Sequence, residues 1–206
     1  MLTSTKSTTE KRASQARQRM TLEEYFALPE GPPNYEFEEG ELVLMNPPHG
    51  RHQKLMMRLS HPLDDHVTRN HLGSLWPEIE VHLSEEGRVY IPDLVFLSAD
   101  HLDRYSDADG RIHGVPDLVV EILSPSTERR DRTTKLRTYQ QVGVPWYWLI
   151  DPDELIAQEY KLTPEGYLLA QSIPPGEAFA PGLFPGLTID LAALMGETVK
   201  TEEDSG

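Results

Sequence analysis

The chain has 206 residues, a formal net charge of −15, 38% hydrophobic residues, 17 prolines and no cysteine. That length suits one domain with a sizeable core, and the missing cysteines exclude disulfides, thiolate catalysis and cysteine-based zinc or iron–sulfur sites. An acidic balance disfavours non-specific nucleic-acid binding unless a local basic patch or a bound metal supplies positive charge.

Residues 1–19 are polar, without apolar periodicity, and hold Lys6, Lys11, Arg12, Arg17 and Arg19 against Glu10. They read as a disordered basic tail ahead of a domain over 20–195. The tail has no apolar h-region, and no apolar run approaches the roughly 18 residues that span a bilayer. A cytoplasmic protein without membrane partners is expected. Thr21-Leu-Glu-Glu24 is a capping box that opens a short helix. Tyr35 to Met45 predicts a hairpin turning at Glu39-Gly40, with Glu36 an exposed strand residue. Leu55, Leu59, Leu63 and Val67 recur every four residues and predict a helix over 51–71, kinked or divided at Pro62. Strands are expected over 75–83 and 89–97, then a loop over 99–114. The run Asp117-Leu-Val-Val-Glu121-Ile-Leu-Ser124 predicts a strand buried on both faces. Alternation puts Asp117, Val119, Glu121 and Leu123 on one face and Leu118, Val120 and Ile122 on the other. A helix follows over 128–142, capped by Ser126 or Thr127 and ended by Gly143. Pro145 to Asp151 predicts a second buried strand, 156–162 with 167–173 a hairpin, and 187–195 a last short strand or helix. An acidic tail is expected over 196–206. This order suits a mixed sheet flanked by helices, an α/β or α+β domain.

Glu121 lies inside an apolar strand, and an ionised glutamate there is costly unless cations or hydrogen-bond donors compensate it. Asp93 opens another apolar strand, Ile91-Pro-Asp93-Leu-Val-Phe-Leu97. If these strands are neighbours, the two carboxylates converge. Two hard oxygen ligands with water completing the shell suit Mg²⁺ (or Mn²⁺), and such a metal lowers the pKa of bound water and offsets charge on a phosphodiester. Glu80, on the preceding strand, is a candidate third ligand. The helix Glu128-Arg-Arg-Asp-Arg-Thr-Thr-Lys135-Leu-Arg137 holds five basic residues against two acidic ones. Lys135 is the candidate for polarising water or holding the scissile phosphate; Arg129, Arg130, Arg132 and His52 are candidate substrate contacts. Each has a structural reading beside the functional one. Glu121 can pair with an arginine, the helix can be a salt-bridged surface, His52 can be structural, and Trp146 and Trp148 suit a core better than a base-stacking platform. Asp117, after a proline, reads as a strand-start residue.

Tyr35-Glu36, Gly40-Glu-Leu-Val, His52, Ile91-Pro92-Asp93-Leu-Val, Val115-Pro116-Asp117-Leu-Val-Val-Glu121-Ile-Leu-Ser124-Pro125-Ser126, Asp131, Lys135, Tyr139, Gly143-Val144, Tyr147-Trp148-Leu and Asp151-Pro152 together resemble the Uma-two family of restriction-endonuclease-like proteins, over roughly residues 20–195. The resemblance implies the PD-(D/E)xK nuclease superfamily, with a mixed sheet flanked by helices and a divalent metal held by acidic residues on two adjacent strands. It assigns Asp93 to the Pro-Asp motif and Glu121 to the (D/E)xK strand. The lysine expected two residues after Glu121 is Leu123 here; Lys135 matches a lysine moved to the next helix. The expected activity is Mg²⁺-dependent hydrolysis of nucleic acid, DNA as substrate, with a homodimer for double-strand cleavage. Two other classes stay open: a catalytically silent nuclease-fold binding or assembly module, and a glycosidase using Asp93 and Glu121 as acid and base.

Overall fold

The computed structural model describes residues 19–29, 31–85 and 87–197. The tails expected over 1–19 and 196–206, apart from Arg19, Gly196 and Glu197, lie outside these residues. The capping box forms as expected: Thr21 Oγ1 accepts from the Glu24 N–H and starts α1, Leu22–Phe26. The hairpin β1 (Tyr35–Glu38) and β2 (Glu41–Leu44) turns at Glu39 and Gly40, both with positive φ.

Helix α2 (Gly50–Arg69) runs unbroken through Pro62. Its stripe of Leu55, Leu59, Leu63 and Val67 is fully buried. Each such burial contributes about 1.5–3 kcal/mol, enough to hold the helix across the one backbone bond that proline removes. Beyond it, both strands expected over 75–97 split. β3 (Gly73–Pro77) and β4 (Val81–Ser84) lie in different sheets, as do β5 (Arg88–Tyr90) and β6 (Leu94–Ser98). The breaks fall at Glu78, whose φ is +45°, and at Ile91-Pro92-Asp93. A proline cannot donate to a ladder, and a residue in the left-handed region turns the chain out of one. The expected loop over 99–114 is instead a 3₁₀ turn (Ala99–Arg104) followed by the short strands β7 (Tyr105–Ser106) and β8 (Arg111–His113).

The central strand is β9 (Leu118–Ile122). Helix α3 starts as Glu128–Arg130, widens into a π-turn over Asp131–Lys135 and continues as Leu136–Val142 to Gly143, at φ +90°. Thr127 precedes it but caps nothing with its side chain; its hydroxyl pairs with Ser124 instead. β10 (Trp146–Asp151), the hairpin β11 (Ile156–Thr163) and β12 (Gly166–Ile173), and α4 (Leu191–Met195) complete the chain.

Two six-stranded mixed sheets result, ordered β2-β1-β5-β4-β8-β7 and β12-β11-β10-β9-β6-β3. β9 lies parallel to β10 and antiparallel to β6. Its two faces divide the core as alternation requires. Leu118, Val120 and Ile122 pack with the α2 stripe, Trp148 and the C-terminal segment. Val119 and Leu123 pack with Tyr90 of the other sheet and Tyr139 of α3. Glu121 belongs to this second face, between the two sheets. Among the described residues no helix is long and apolar enough to cross a membrane.

Candidate functional site

The site forms where the chain steps between sheets. β6 pairs with β9 through Leu94↔Val120 and Val95↔Val119, so one further step of that register sets Asp93 beside Glu121. Asp93 ends the ladder with its side chain: Oδ2 accepts from the Ile122 N–H at 2.6 Å. Its other oxygen lies 3.0 Å from His52 Nε2, in the first turn of α2. Asp93 and Glu121 therefore converge, as the two apolar strands suggested.

Among the described residues Glu121 is paired by lysine, and by no arginine. Lys135 Nζ lies 2.8 Å from Glu121 Oε1, and Tyr139 donates its hydroxyl to the same oxygen at 2.8 Å. The π-turn puts Asp131 and Lys135 on the same side of α3, with Lys135 Nζ 3.8 Å from Asp131 Oδ1. Tyr147 fixes that turn by donating to the Asp131 carbonyl at 3.1 Å. Single-turn π insertions of this kind recur at functional sites.

Glu36 corrects the sequence reading. It is 1% exposed rather than a surface strand residue. Lys135 Nζ lies 2.9 Å from its Oε1, the Ile91 N–H donates to the same oxygen at 3.0 Å, and Arg130 bonds to Oε2. Alternation in β1 turned Glu36 away from the buried Phe37, and a single strand carries no sign that α3 covers its second face. Asp131 was likewise legible only as part of the family pattern.

Glu36, Asp93, Glu121 and Asp131 thus share Lys135, Arg130 and His52. Burial pushes the Glu121 carboxyl well above the usual range; Lys135 opposes this, while Asp131, Asp93 and Glu36 add to it. Burial also raises Glu36, but Lys135 and Arg130 outweigh it and hold that carboxyl below the usual range. The difference has a simple cause. One lysine serves both glutamates, and only Glu36 also has an arginine. Burial raises Asp131 too. For Lys135 burial favours the neutral amine, yet Glu121, Glu36 and Asp131 win and keep it an ammonium.

The remaining predicted residues sit as follows. Glu80 is held by Tyr25, His82 and Arg111, and it shares no hydrogen bond or ion pair with Asp93 or Glu121 among the described residues. Arg132 turns to Glu128 and Gln158. Arg129 is exposed. Trp148 is fully buried and Trp146 packs at the edge of the same core. Asp117 binds the Ser98 N–H and His101 and is structural.

The donors present suit a hard cation in their chemistry. The buried Asp131 Oδ1 and His52 Nδ1 have no hydrogen-bond partner, and Glu121 stands in excess negative charge. Among the described residues no three histidine or acidic side chains are grouped to enclose a metal ion.

Comparison with known proteins bears on the fold and the family. The Uma2 family model, described as "Putative restriction endonuclease", matches residues 22–192. A crystal structure from Anabaena variabilis, described as a "putative nuclease belonging to DUF820", superposes with a TM-score of 0.69 at 23% identity, covering 86% of this chain and 98% of that one. At that identity the likeness shows the fold. The type IIG restriction endonuclease BpuSI matches at a TM-score of 0.37 and 14% identity, over 61% of this chain and 14% of its own. No curated protein matches.

Proposed function

Because the chain belongs to the Uma2 family, described as "Putative restriction endonuclease", we propose that it is a metal-dependent endonuclease that hydrolyses phosphodiester bonds of nucleic acid, with DNA as the substrate. The observation that carries this reading is the convergence of Asp93 and Glu121 from neighbouring strands beside a buried Lys135.

Asp93 and Glu121 would hold Mg²⁺ or Mn²⁺, which when bound would activate water and offset charge on the phosphate. Lys135 acts as a fixed positive charge. Its neighbours hold it protonated, so it cannot serve as a general base. Two of its three N–H donors face Glu121 and Glu36, and Asp131 Oδ1 lies 3.8 Å away. Glu36, Arg130 and Tyr139 fix the ammonium and Glu121 in place, so that little reorganisation accompanies the reaction. His52 is oriented by Asp93 at the edge of the site. One such site faces one strand, so double-strand cleavage calls for two copies of the chain.

A second reading is a silent nuclease-fold binding module. It is favoured by the lack of a three-ligand cluster among the described residues and by the lysine already seated on Glu121.

The deciding experiment is cleavage of supercoiled plasmid, single-stranded DNA and RNA with Mg²⁺, Mn²⁺ or EDTA, with Glu121→Gln and Asp93→Asn as controls. Metal-dependent cleavage that both variants lose supports the nuclease. Equal cleavage by wild type and variants would mean that this site is not the source. Absence of cleavage together with no calorimetric signal for either metal favours the module.

A further inference from the structure

A broad groove of about 1220 Å³ runs between the β1–β2 hairpin and α3. One wall is α3, which contributes Arg129, Thr133, Thr134 and Arg137; the other includes Arg88 and Asn46. Arg129, Thr133 and Arg137 follow one another at four-residue steps and are all exposed. All three line the groove from the α3 side. Arg130 stands between groove and buried cluster. It lines the groove, bonds to Glu36 and Glu38, and lies over the Tyr90 ring at 5.0 Å.

The groove also contains Glu38, Glu39 and Glu41. Glu38 is taken by Arg130 and Tyr90, and Glu39 by Arg88; Glu41 pairs through its backbone with Arg19 in an isolated β-bridge and has a further interaction of its own. By contrast, the Arg129 and Arg137 side chains enter no hydrogen bond or ion pair among the described residues. On a chain of net charge −15, one groove thus presents two exposed arginines that have no acidic partner among the described residues. Arg132, on the same helix, is committed to Glu128 and Gln158 and does not line the groove.

Building on the nuclease reading above, we propose that this groove is the track for the phosphate backbone of the nucleic acid. Arg129 and Arg137 are its phosphate contacts; the Thr133 hydroxyl between them donates to the Arg129 carbonyl at 2.5 Å and so braces the helix rather than the phosphate. Guanidinium forks match phosphate oxygens, and backbone contacts of this kind place a strand without reading its sequence. The strand is led over Arg130, whose inner partner Glu36 shares Lys135 with Glu121.

The test is fluorescence-anisotropy binding in EDTA. Labelled single-stranded DNA, duplex DNA and RNA of one length are compared with a poly-glutamate peptide across a salt series. The proteins are wild type, Arg129→Gln/Arg137→Gln, Arg132→Gln and Glu121→Gln. The double variant is expected to bind the oligonucleotides at least about tenfold more weakly, and its log–log salt slope to fall by about 2, near 0.9 for each lost phosphate contact on duplex DNA. Arg132→Gln is expected to bind as wild type does. The preferred oligonucleotide distinguishes DNA from RNA. Wild-type affinity and slope in the double variant, no oligonucleotide binding by wild type, or equal binding of poly-glutamate would each overturn the track. Cleavage that is lost in Glu121→Gln while the double variant binds normally would sink the groove and leave the nuclease standing. Groove-dependent binding without cleavage would do the reverse.

Discussion

At the residue scale, Lys135 is the member of the cluster whose loss leaves the most uncompensated. Lys135→Met would strand Glu121, Glu36 and Asp131 in the interior with one fewer cation. Breaking a buried charged pair costs about 3–5 kcal/mol, and urea denaturation at pH 7 should show a loss of that order; a loss under about 1 kcal/mol would mean that the site is far wetter than its burial implies. Glu121→Gln should act in the opposite sense. The Glu121 carboxyl titrates above its ordinary value of 4.5 in the folded state. The folded state therefore holds a proton that the unfolded state releases, and stability falls as pH rises past 4.5 towards the folded value. Glutamine removes that cost. In EDTA at pH 8 the variant is expected to melt at or above wild type, with the difference vanishing near pH 4.5. A clear drop at pH 8 would show instead that ionised Glu121 is a net stabiliser. Glu36 has the reverse sign, because its carboxyl is held low: it contributes stability above pH 4.5 that is lost as pH falls through its folded value.

At the scale of elements, the site depends on where strands and helices stop. Gly143 ends α3 at φ +90° with open space around its Cα, so Gly143→Ala should cost only the conformational strain, roughly 1–2 kcal/mol. Gly73 has φ +148°, and an added Cβ would lie 2.0 Å from the Leu97 carbonyl oxygen in the paired strand. Gly73→Ala should therefore destabilise far more than Gly143→Ala, because backbone, not a side chain, must move. Melting the two variants side by side checks this; equal effects would contradict the close β3–β6 approach. The hairpins, the α2 stripe and the faces of β9 were legible because alternation and four-residue spacing report directly on burial. The splitting of 75–83 and 89–97 was not. Apolar content continues across both breaks, and only the left-handed turn at Glu78 and the Pro92 corner divide them.

At the scale of the whole molecule, two sheets and α3 enclose more negative than positive charge, so divalent cations should bind the folded chain in preference to the unfolded one. Mg²⁺ or Mn²⁺ at a hundred times its dissociation constant would add about 2.7 kcal/mol. Because Glu121 must lose its proton to become a ligand, the rise in melting temperature should be larger at pH 8 than at pH 6. Asp93→Asn should abolish it. A rise that is equal at both pH values, or that persists in Asp93→Asn, would place the cation elsewhere.

By itself the sequence determined the buried strand with Glu121 at its centre, the carboxylate at Asp93, the basic helix and the family pattern that joins them. Each of these is a local matter of residue type and spacing. Only the tertiary structure decided that Glu36 is interior, that Lys135 rather than an arginine seats Glu121, that Glu80 belongs to another network, and that Arg132 faces away from the groove. All four depend on which surfaces of distant elements meet. A strand or helix shows one face to its own periodicity, and the second face is defined by whatever the rest of the chain lays against it.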